Sequence, residues 1–159
     1  MVTRQTVRKA LLGREVAVAY AVIVALYLVK SVRFQPLQIP AYLLIVAYDF
    51  VEVMLPILTP YYSVGFPLFL YLLAILGAGA ARWSQSGDGA ESTWTQIAGG
   101  VCLIVGLLSL LFGTFVGGPL ISPTDNPTPL AVTGATGIVF LVGAWWLLGH
   151  RSARSPASA

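Results

Sequence analysis

Two acidic side chains, Asp49 and Glu52, lie inside a long apolar stretch of the sequence. Counted from Pro40 to Thr59, Asp49 is at the midpoint of the stretch, and Glu52 follows one helical turn later on the same face. A charged carboxylate at the centre of a membrane costs about 2.5–3.5 kcal/mol on insertion scales, so acids at that depth are functional candidates by default. The pair is therefore the candidate proton or cation site of this sequence.

Pro56 lies one turn beyond Glu52 and sharpens this hypothesis. Because proline has no N–H for the carbonyl of Glu52 and its ring pushes that turn open, the sequence predicts a helix kink at Pro56. A free carbonyl beside two carboxyl groups is an oxygen cluster of the kind that binds a cation or relays a proton. No basic residue is expected in the middle of another apolar segment, so either the acids are partly protonated or a cation neutralises them.

Structural alternatives for the two acids stay open. Both can be neutral and hydrogen-bond across helices, or they can pair with a basic residue of another subunit. In a third alternative the register differs, and Asp49 lies near a membrane interface. None of these alternatives requires a transport role for the two acids.

The composition indicates which elements position these acids. Of the 159 residues, 57% are hydrophobic and 9% are charged, whereas soluble proteins are about half apolar and a quarter charged. The basic residues lie singly or in pairs at the ends of apolar runs, which is typical of lipid-headgroup contacts and argues against nucleic-acid binding. The predicted fold class is therefore an all-α integral membrane protein, multi-pass in the cell membrane, with the lipid bilayer as its partner.

Five apolar segments have the length needed to cross a membrane. About 20 helical residues span the ~30 Å hydrocarbon layer. The segments are 14–33, 40–59, 64–82, 94–116 and 130–149. They predict a single transmembrane domain over 1–150, built as a bundle of five helices with short loops, and a polar disordered tail over 151–159. Only four residues separate the second segment from the third, so these two are predicted to form an antiparallel hairpin.

The number of crossings and the orientation stay open in the sequence. With five crossings, the basic residues divide four against five between the two faces. One set is Arg4, Arg8, Lys9 and Arg14, and the other is Lys30, Arg33, Arg82, Arg151 and Arg154. If segment 14–33 re-entered instead of crossing, all nine would share a face, which favours four crossings. The lack of a polar face in that segment favours five, and the usual dominance of the first helix favours a cytoplasmic N-terminus.

Small residues in segment 94–116 predict close helix packing. Three glycines recur seven residues apart, and the last of them begins a GxxxG pattern, which lets two helix backbones approach closely. The packing candidates are Gly99, Gly106, Gly113 and Gly117. Segment 130–149 carries matching small residues, so packing within the chain is favoured over a homodimer face. A homo- or hetero-oligomer formed through these faces is the alternative.

The sequence contains no recognisable catalytic or metal-binding motif. The lone Cys102 excludes an intrachain disulfide and a cysteine-based metal cluster, and the one histidine, His150, lies at a helix end. Zinc-protease and phosphate-loop patterns are absent. We therefore expect no enzymatic activity, no cofactor, and no catalytic or metal-ligating residues. The predicted function is a non-enzymatic accessory or structural subunit of a membrane assembly. The alternative is a small oligomeric proton- or cation-coupled transporter or channel that uses Asp49 and Glu52.

Overall fold

The computed structural model describes residues 13–33, 35–83, 94–117 and 128–149, and within these ranges the regular elements are all helical. The five α-helices are α1 (Arg14–Leu28), α2 (Gln35–Met54), α3 (Tyr62–Trp83), α4 (Trp94–Gly117) and α5 (Thr128–Gly149). Short 3-10 helices follow α1 at Val29–Ser31 and precede α3 at Pro56–Tyr61. The all-α prediction is confirmed for this part of the chain. The predicted tail, 151–159, lies outside the described residues.

Three helical stretches are long and apolar enough to cross a membrane: Pro56–Trp83, Trp94–Thr114 and Leu130–Gly149. Large hydrophobic side chains such as Leu72 and Val139 are exposed on their outer surfaces. Soluble monomers rarely expose contiguous apolar surface on this scale. The helices therefore support the assignment of the chain to the membrane proteins.

α3, α4 and α5 form a row of antiparallel helices with α4 in the middle. On one side of α4, Gly106 faces Leu141 of α5, and the Ser109 hydroxyl donates a hydrogen bond to the Thr133 carbonyl at 2.7 Å. On the other side, Val101 packs against Gly77 of α3. α5 lies at the outside of the row and is the least covered of the three.

α1 also lies antiparallel to α3. Three side-chain pairs join the two helices, and residue numbers fall along α3 as they rise along α1. The pairs are Glu15 with Arg82, Tyr20 with Tyr71, and Tyr27 with Phe66. The first is an ion pair between helix ends, and the other two are ring contacts, with centroids 6.1 Å and 5.0 Å apart. The end of α1 and the start of α3 therefore lie at the same end of the bundle.

α2 is attached to that end. Near its start, the Gln38 side-chain amide donates a hydrogen bond to the Val32 carbonyl, just beyond α1, at 2.6 Å. Ten residues later, the Tyr48 ring lies 5.5 Å from the ring of Phe66, near the start of α3. Phe66 also contacts Tyr27 near the end of α1. Both parts of α2 thus lie at one end of the α1–α3 pair.

The predicted hairpin between segments 40–59 and 64–82 is not what the structure shows. A hairpin would lay α2 along the whole of α3, but its ring contacts to α3 reach only Tyr62, Phe66 and Phe69, all in the first half of that helix. The physical reason is the pairing of α1 with α3. When two antiparallel helices pack along their length, the chain that joins them must begin and finish at the same end.

Candidate functional site

Asp49 and Glu52, the acids predicted to lie in mid-membrane, are at the end of the bundle where α1 finishes and α3 begins. Asp49 is exposed, and Glu52 is half-buried. The sequence places them at the centre of a crossing helix that faces the bundle interior. The structure places them near the bundle surface, because α2 stays at the end from which it starts. Their role in proton or cation handling remains a prediction.

Tyr48 holds this part of α2 against the bundle. Its side chain is only 1% exposed. Its ring meets three rings of α3 edge-on or tilted, with centroid distances of 5.2 Å to Tyr62, 5.5 Å to Phe66 and 5.6 Å to Phe69. Edge-to-face arrangements at these distances are favourable, because the positive ring edge meets the negative ring face.

Gly65 makes room for the Tyr48 hydroxyl. A Cβ atom built on Gly65 would overlap the hydroxyl oxygen, so glycine is needed here for the tyrosine to fit. Neither Tyr48 nor Gly65 is among the residues predicted from the sequence. The signal that could have identified them is the aromatic repeat on α3, with rings at positions 62, 66 and 69, which marks a face that receives a large side chain.

The Tyr48 hydroxyl and the Glu52 carboxylate are neighbours one turn apart on α2. The hydroxyl oxygen and Glu52 Oε1 are both buried, and their mutual geometry does not meet the distance and angle requirements of a hydrogen bond. A buried polar group without a partner costs about 1–3 kcal/mol. These two atoms are the least satisfied buried side-chain polar atoms in the part of the chain that the structure describes.

A basic residue accompanies the two acids. Lys30, in the 3-10 helix after α1, donates a hydrogen bond to the Tyr27 hydroxyl, and its Nζ atom lies 3.9 Å from the centroid of the Tyr27 ring. Tyr62 is within electrostatic range of Lys30, Asp49 and Glu52. We call this group of charges and tyrosines the acidic end of the bundle. A basic residue at this end is not expected from the sequence, because Lys30 ends one apolar segment and the acids are predicted to lie in the middle of the next.

At Pro56, where the sequence predicts a kink, the structure has the end of α2 and the start of a 3-10 helix. The helix stops at Met54, Leu55 leaves the helical conformation with φ −129° and ψ 75°, and Pro56 is the first residue of the 3-10 helix. A residue before proline is disfavoured in the α region, which explains why the helix ends here. Glu52 therefore belongs to the last turn of α2, where backbone carbonyls lack an intrahelical partner in any case.

Three of the four glycines predicted to pack face α5. A Cβ atom added at any of them would approach a side chain of α5 more closely than real Cβ atoms normally do. The added Cβ atom would lie 2.9 Å from Leu148 Cγ at Gly99, 3.0 Å from Leu141 Cγ at Gly106, and 3.2 Å from Thr133 Oγ1 at Gly113. The glycine face of α4 thus serves packing within this chain. The surroundings of Gly117 lie outside the described residues.

The closest backbone approach is between α3 and α4. A Cβ atom on Gly100 would overlap the carbonyl oxygen of Gly77. Gly100 and Gly77 were not predicted from the sequence. Gly100 follows Gly99 directly, so the pair points to both sides of α4, and this doubling was the available signal. α4 is thus in close backbone contact with both of its neighbours.

The interior of the bundle is apolar. Ser109 and Thr133 are the buried polar side chains among the residues described, apart from the atoms at the acidic end. Their hydroxyls donate to the backbone carbonyls of Thr133 at 2.7 Å and of Leu130 at 3.1 Å. No group of three or more potential metal-ligating side chains occurs within the described ranges.

No protein-family model, curated protein or solved structure matches the chain. Its function is therefore inferred from three features of the molecule. They are the apolar exterior, the interior in which the Ser109 and Thr133 hydroxyls are already bonded, and the cluster of Asp49, Glu52 and Lys30 at one end.

Proposed function

We propose that the chain is a polytopic integral membrane protein of the cell membrane that crosses the bilayer four times, through α1, α3, α4 and α5. We propose further that it is a non-enzymatic accessory or structural subunit of a membrane assembly. The observation that carries this proposal is the distribution of polarity. Apolar side chains cover the outside of the helices, while the buried Ser109 and Thr133 satisfy their hydroxyls within the chain.

The antiparallel pairing of α1 and α3 supports four crossings. If both helices cross, the chain leaves α1 and enters α3 on the same face, so α2 cannot make a single crossing between them. α1 has 15 residues and the 3-10 helix adds three, a combined rise of about 28 Å. That is close to the ~30 Å hydrocarbon thickness. Arg14 and Lys30 at its two ends can extend their charges to the headgroups.

Cysteine labelling in intact cells tests the number of crossings. The variants are Arg33→Cys, beyond the end of α1, and Thr95→Cys, at the start of α4, each in a Cys102→Ser background. Both positions are exposed. Four crossings put them on opposite faces, so an impermeant maleimide should label only one until the membrane is permeabilised. Five crossings put both on the same face, and equal labelling of the two would contradict the proposal.

An accessory role is favoured over transport because the acids lie at the bundle end. Intramembrane ionisable groups that carry protons or ions face the bundle interior or a water-filled cavity. Here Asp49 is exposed at one end, and α4 packs against α3 and α5 through glycines and apolar side chains. A translocation path would have to run between several copies of the chain.

Transport by such an oligomer is the second candidate, and one observation favours it. Glu52 Oε1 and the Tyr48 hydroxyl are buried without a hydrogen-bond partner, and unpaired oxygens beside a carboxylate are suitable ligands for a cation. Flux measurements on proteoliposomes separate the two functions. We expect wild-type protein to pass no more protons, Na⁺ or K⁺ than protein-free vesicles. Flux that disappears in Asp49→Asn or Glu52→Gln would establish the transporter instead.

The accessory role itself is tested by the mass of the native particle. The full chain, extracted in a mild detergent from its own membranes and purified through two successive tags, should contain a second membrane protein at fixed stoichiometry. Native mass spectrometry measures this directly. A particle made only of this 16.9 kDa chain, as a monomer or a homo-oligomer, would contradict the role.

A further inference from the structure

We propose that α2 and the 3-10 helix Pro56–Tyr61 form a shelf that lies within one leaflet of the membrane, on the face opposite Arg14 and Arg82, with phospholipid as its partner. This inference rests on the proposed membrane insertion. It concerns what covers the outward side of α2, because four crossings alone do not decide whether lipid, water or protein lies against this helix.

The opposite end of the bundle marks the first membrane interface. All four tryptophans of the chain occur there, at the end of α3, the start of α4 and the end of α5. They are Trp83, Trp94, Trp145 and Trp146, and all are exposed. Arg82 lies beside them, paired with Glu15. Exposed tryptophans together with arginines are typical of the headgroup level. We call this region the Arg–Trp end.

The acidic end is one membrane thickness away. α3 has 22 residues, which rise about 33 Å, and it runs from the acidic end to the Arg–Trp end. If Trp83 is at one interface, Tyr62 is at the other. Because α2 is attached beside Tyr62 and Phe66, it lies at the level of the second interface.

α2 is apolar on two sides, and the bundle covers only one of them. The side with Ala41, Leu44 and Tyr48 is buried against the other helices. The outward side and the 3-10 helix expose large apolar side chains, with Val53 at 71% and Ile57 at 75% exposure. Helices at a membrane interface bury such a side about 5–10 Å into the boundary between headgroups and acyl chains. Lipid chains are therefore the occupant that fits this surface.

The polar groups of the acidic end fit the headgroup level of the same leaflet. Lys30, exposed Asp49 and the exposed Tyr61 and Tyr62 lie together with α2. Tyrosine is enriched at this level because its ring is apolar and its hydroxyl is polar.

Basic residues identify the leaflet. Arg14 and Arg82 lie at the Arg–Trp end, and the sequence carries further basic residues before α1 and after α5. Those residues are Arg4, Arg8, Lys9, Arg151 and Arg154. Only Lys30 and Arg33 belong to the shelf side. The positive-inside rule makes the Arg–Trp end cytoplasmic and puts the shelf in the outer leaflet. In the labelling experiment above, Arg33→Cys should be the variant that is labelled in intact cells.

Depth-dependent quenching tests the shelf. Val53 in α2 and Val139 near the middle of α5 form a matched pair, with exposures of 71% and 68%. Each is changed to cysteine in the full-length Cys102→Ser protein, labelled with an environment-sensitive fluorophore, and reconstituted with lipids that carry a nitroxide near the headgroup or near the chain end. Melting temperatures equal to that of the Cys102→Ser background show that both variants fold.

We expect the shallow nitroxide to quench the Val53 label most strongly and the deep nitroxide to quench the Val139 label most strongly. This corresponds to a difference of about 5–10 Å in depth between the two labels. If the predicted segment 40–59 crossed instead, Val53 would lie about 5 Å from the midplane, so deep quenching of both labels overturns the shelf. Quenching of the Val53 label by aqueous iodide alone, or by no reagent, overturns it as well, since water or protein would then cover α2. If lipid quenches neither label, the proposed membrane insertion fails instead.

Discussion

α4 and α2 are attached to the same bundle in different ways. α4 meets α3 and α5 through glycines, so that backbone lies against backbone at Gly100 and Gly77. α2 meets α3 through one large ring, Tyr48, placed among the rings of Tyr62, Phe66 and Phe69. Glycine contacts leave no space for adjustment, whereas ring contacts can shift without separating the backbones. We infer from this difference that α3, α4 and α5 form a rigid core and that α2 can open separately at one end.

The largest expected effect is at the backbone contact. Gly100→Ala should cost more than the usual ~1–3 kcal/mol of overpacking, because the new methyl group overlaps the Gly77 carbonyl and neither group is a flexible side chain. Gly143→Ala is the matched control, since no atom lies within 4 Å of a Cβ there. Thermal unfolding in detergent measures both variants. Equal melting temperatures would mean that α3 and α4 are not in backbone contact.

Removal of the ring that holds α2 should have the next largest effect. Tyr48→Ala is expected to cost about 3 kcal/mol, at the low end of aromatic truncations in cores. The loss should be local, so hydrogen exchange should rise in α2 while α4 and α5 stay protected.

Tyr42→Ala is the control for that experiment, because Tyr42 is on the same helix but is 55% exposed. It should leave the exchange of α2 unchanged. Faster exchange across the whole bundle in Tyr48→Ala would show that α2 is part of the rigid core, and the contrast between the two regions would be lost.

The hydrogen bond between α4 and α5 is a smaller contribution. Ser109→Ala removes the bond to the Thr133 carbonyl and should lower stability by about 0.5–1.5 kcal/mol. Thr114→Ala removes a hydroxyl that bonds to Leu111 of its own helix, and it should change the melting temperature less. A larger loss of stability in Thr114→Ala than in Ser109→Ala would mean that the hydrogen bond between α4 and α5 contributes little to their packing.

The smallest effect should come from the ion pair at the Arg–Trp end. Glu15→Gln removes one charge of the ion pair between Glu15, which is 23% exposed, and Arg82, which is 35% exposed. Ion pairs near water contribute about 0–1 kcal/mol to stability. A double-mutant cycle with Arg82→Gln measures the coupling, and Arg33→Gln at the opposite end is the control. A coupling well above 1 kcal/mol would place this pair in a drier environment than the headgroup level.

The helices were largely predictable from the sequence because their limits are local. Segments 64–82, 94–116 and 130–149 differ by at most two residues from α3, α4 and α5. Charges, prolines and tryptophans mark these ends within the sequence, and apolar length alone marks the rest. The glycines of α4 were recognisable for the same reason, since their spacing places them on one face whatever lies opposite.

Segment 40–59 was misplaced because its neighbours in sequence do not decide its path. α2 begins at Gln35 and ends at Met54, five residues earlier than expected at each limit. The sequence around Pro56 resembles a continuing helix, and it therefore predicts a kink at this residue. Whether a proline bends a helix or ends it depends on what holds the chain beyond it, and here that chain enters the 3-10 helix before α3.

By itself, the sequence determined that the chain is helical, that its surface is apolar and where its glycine faces lie. All of these follow from composition and from spacing along one helix. Only the tertiary structure decided that α1 and α3 are antiparallel, which returns α2 to the end where it starts and brings Asp49 and Glu52 near Lys30. The physical reason is that helix pairing depends on contacts such as Glu15 with Arg82 and Tyr48 with Phe66. Residues far apart in the sequence make these contacts, and no local pattern specifies them.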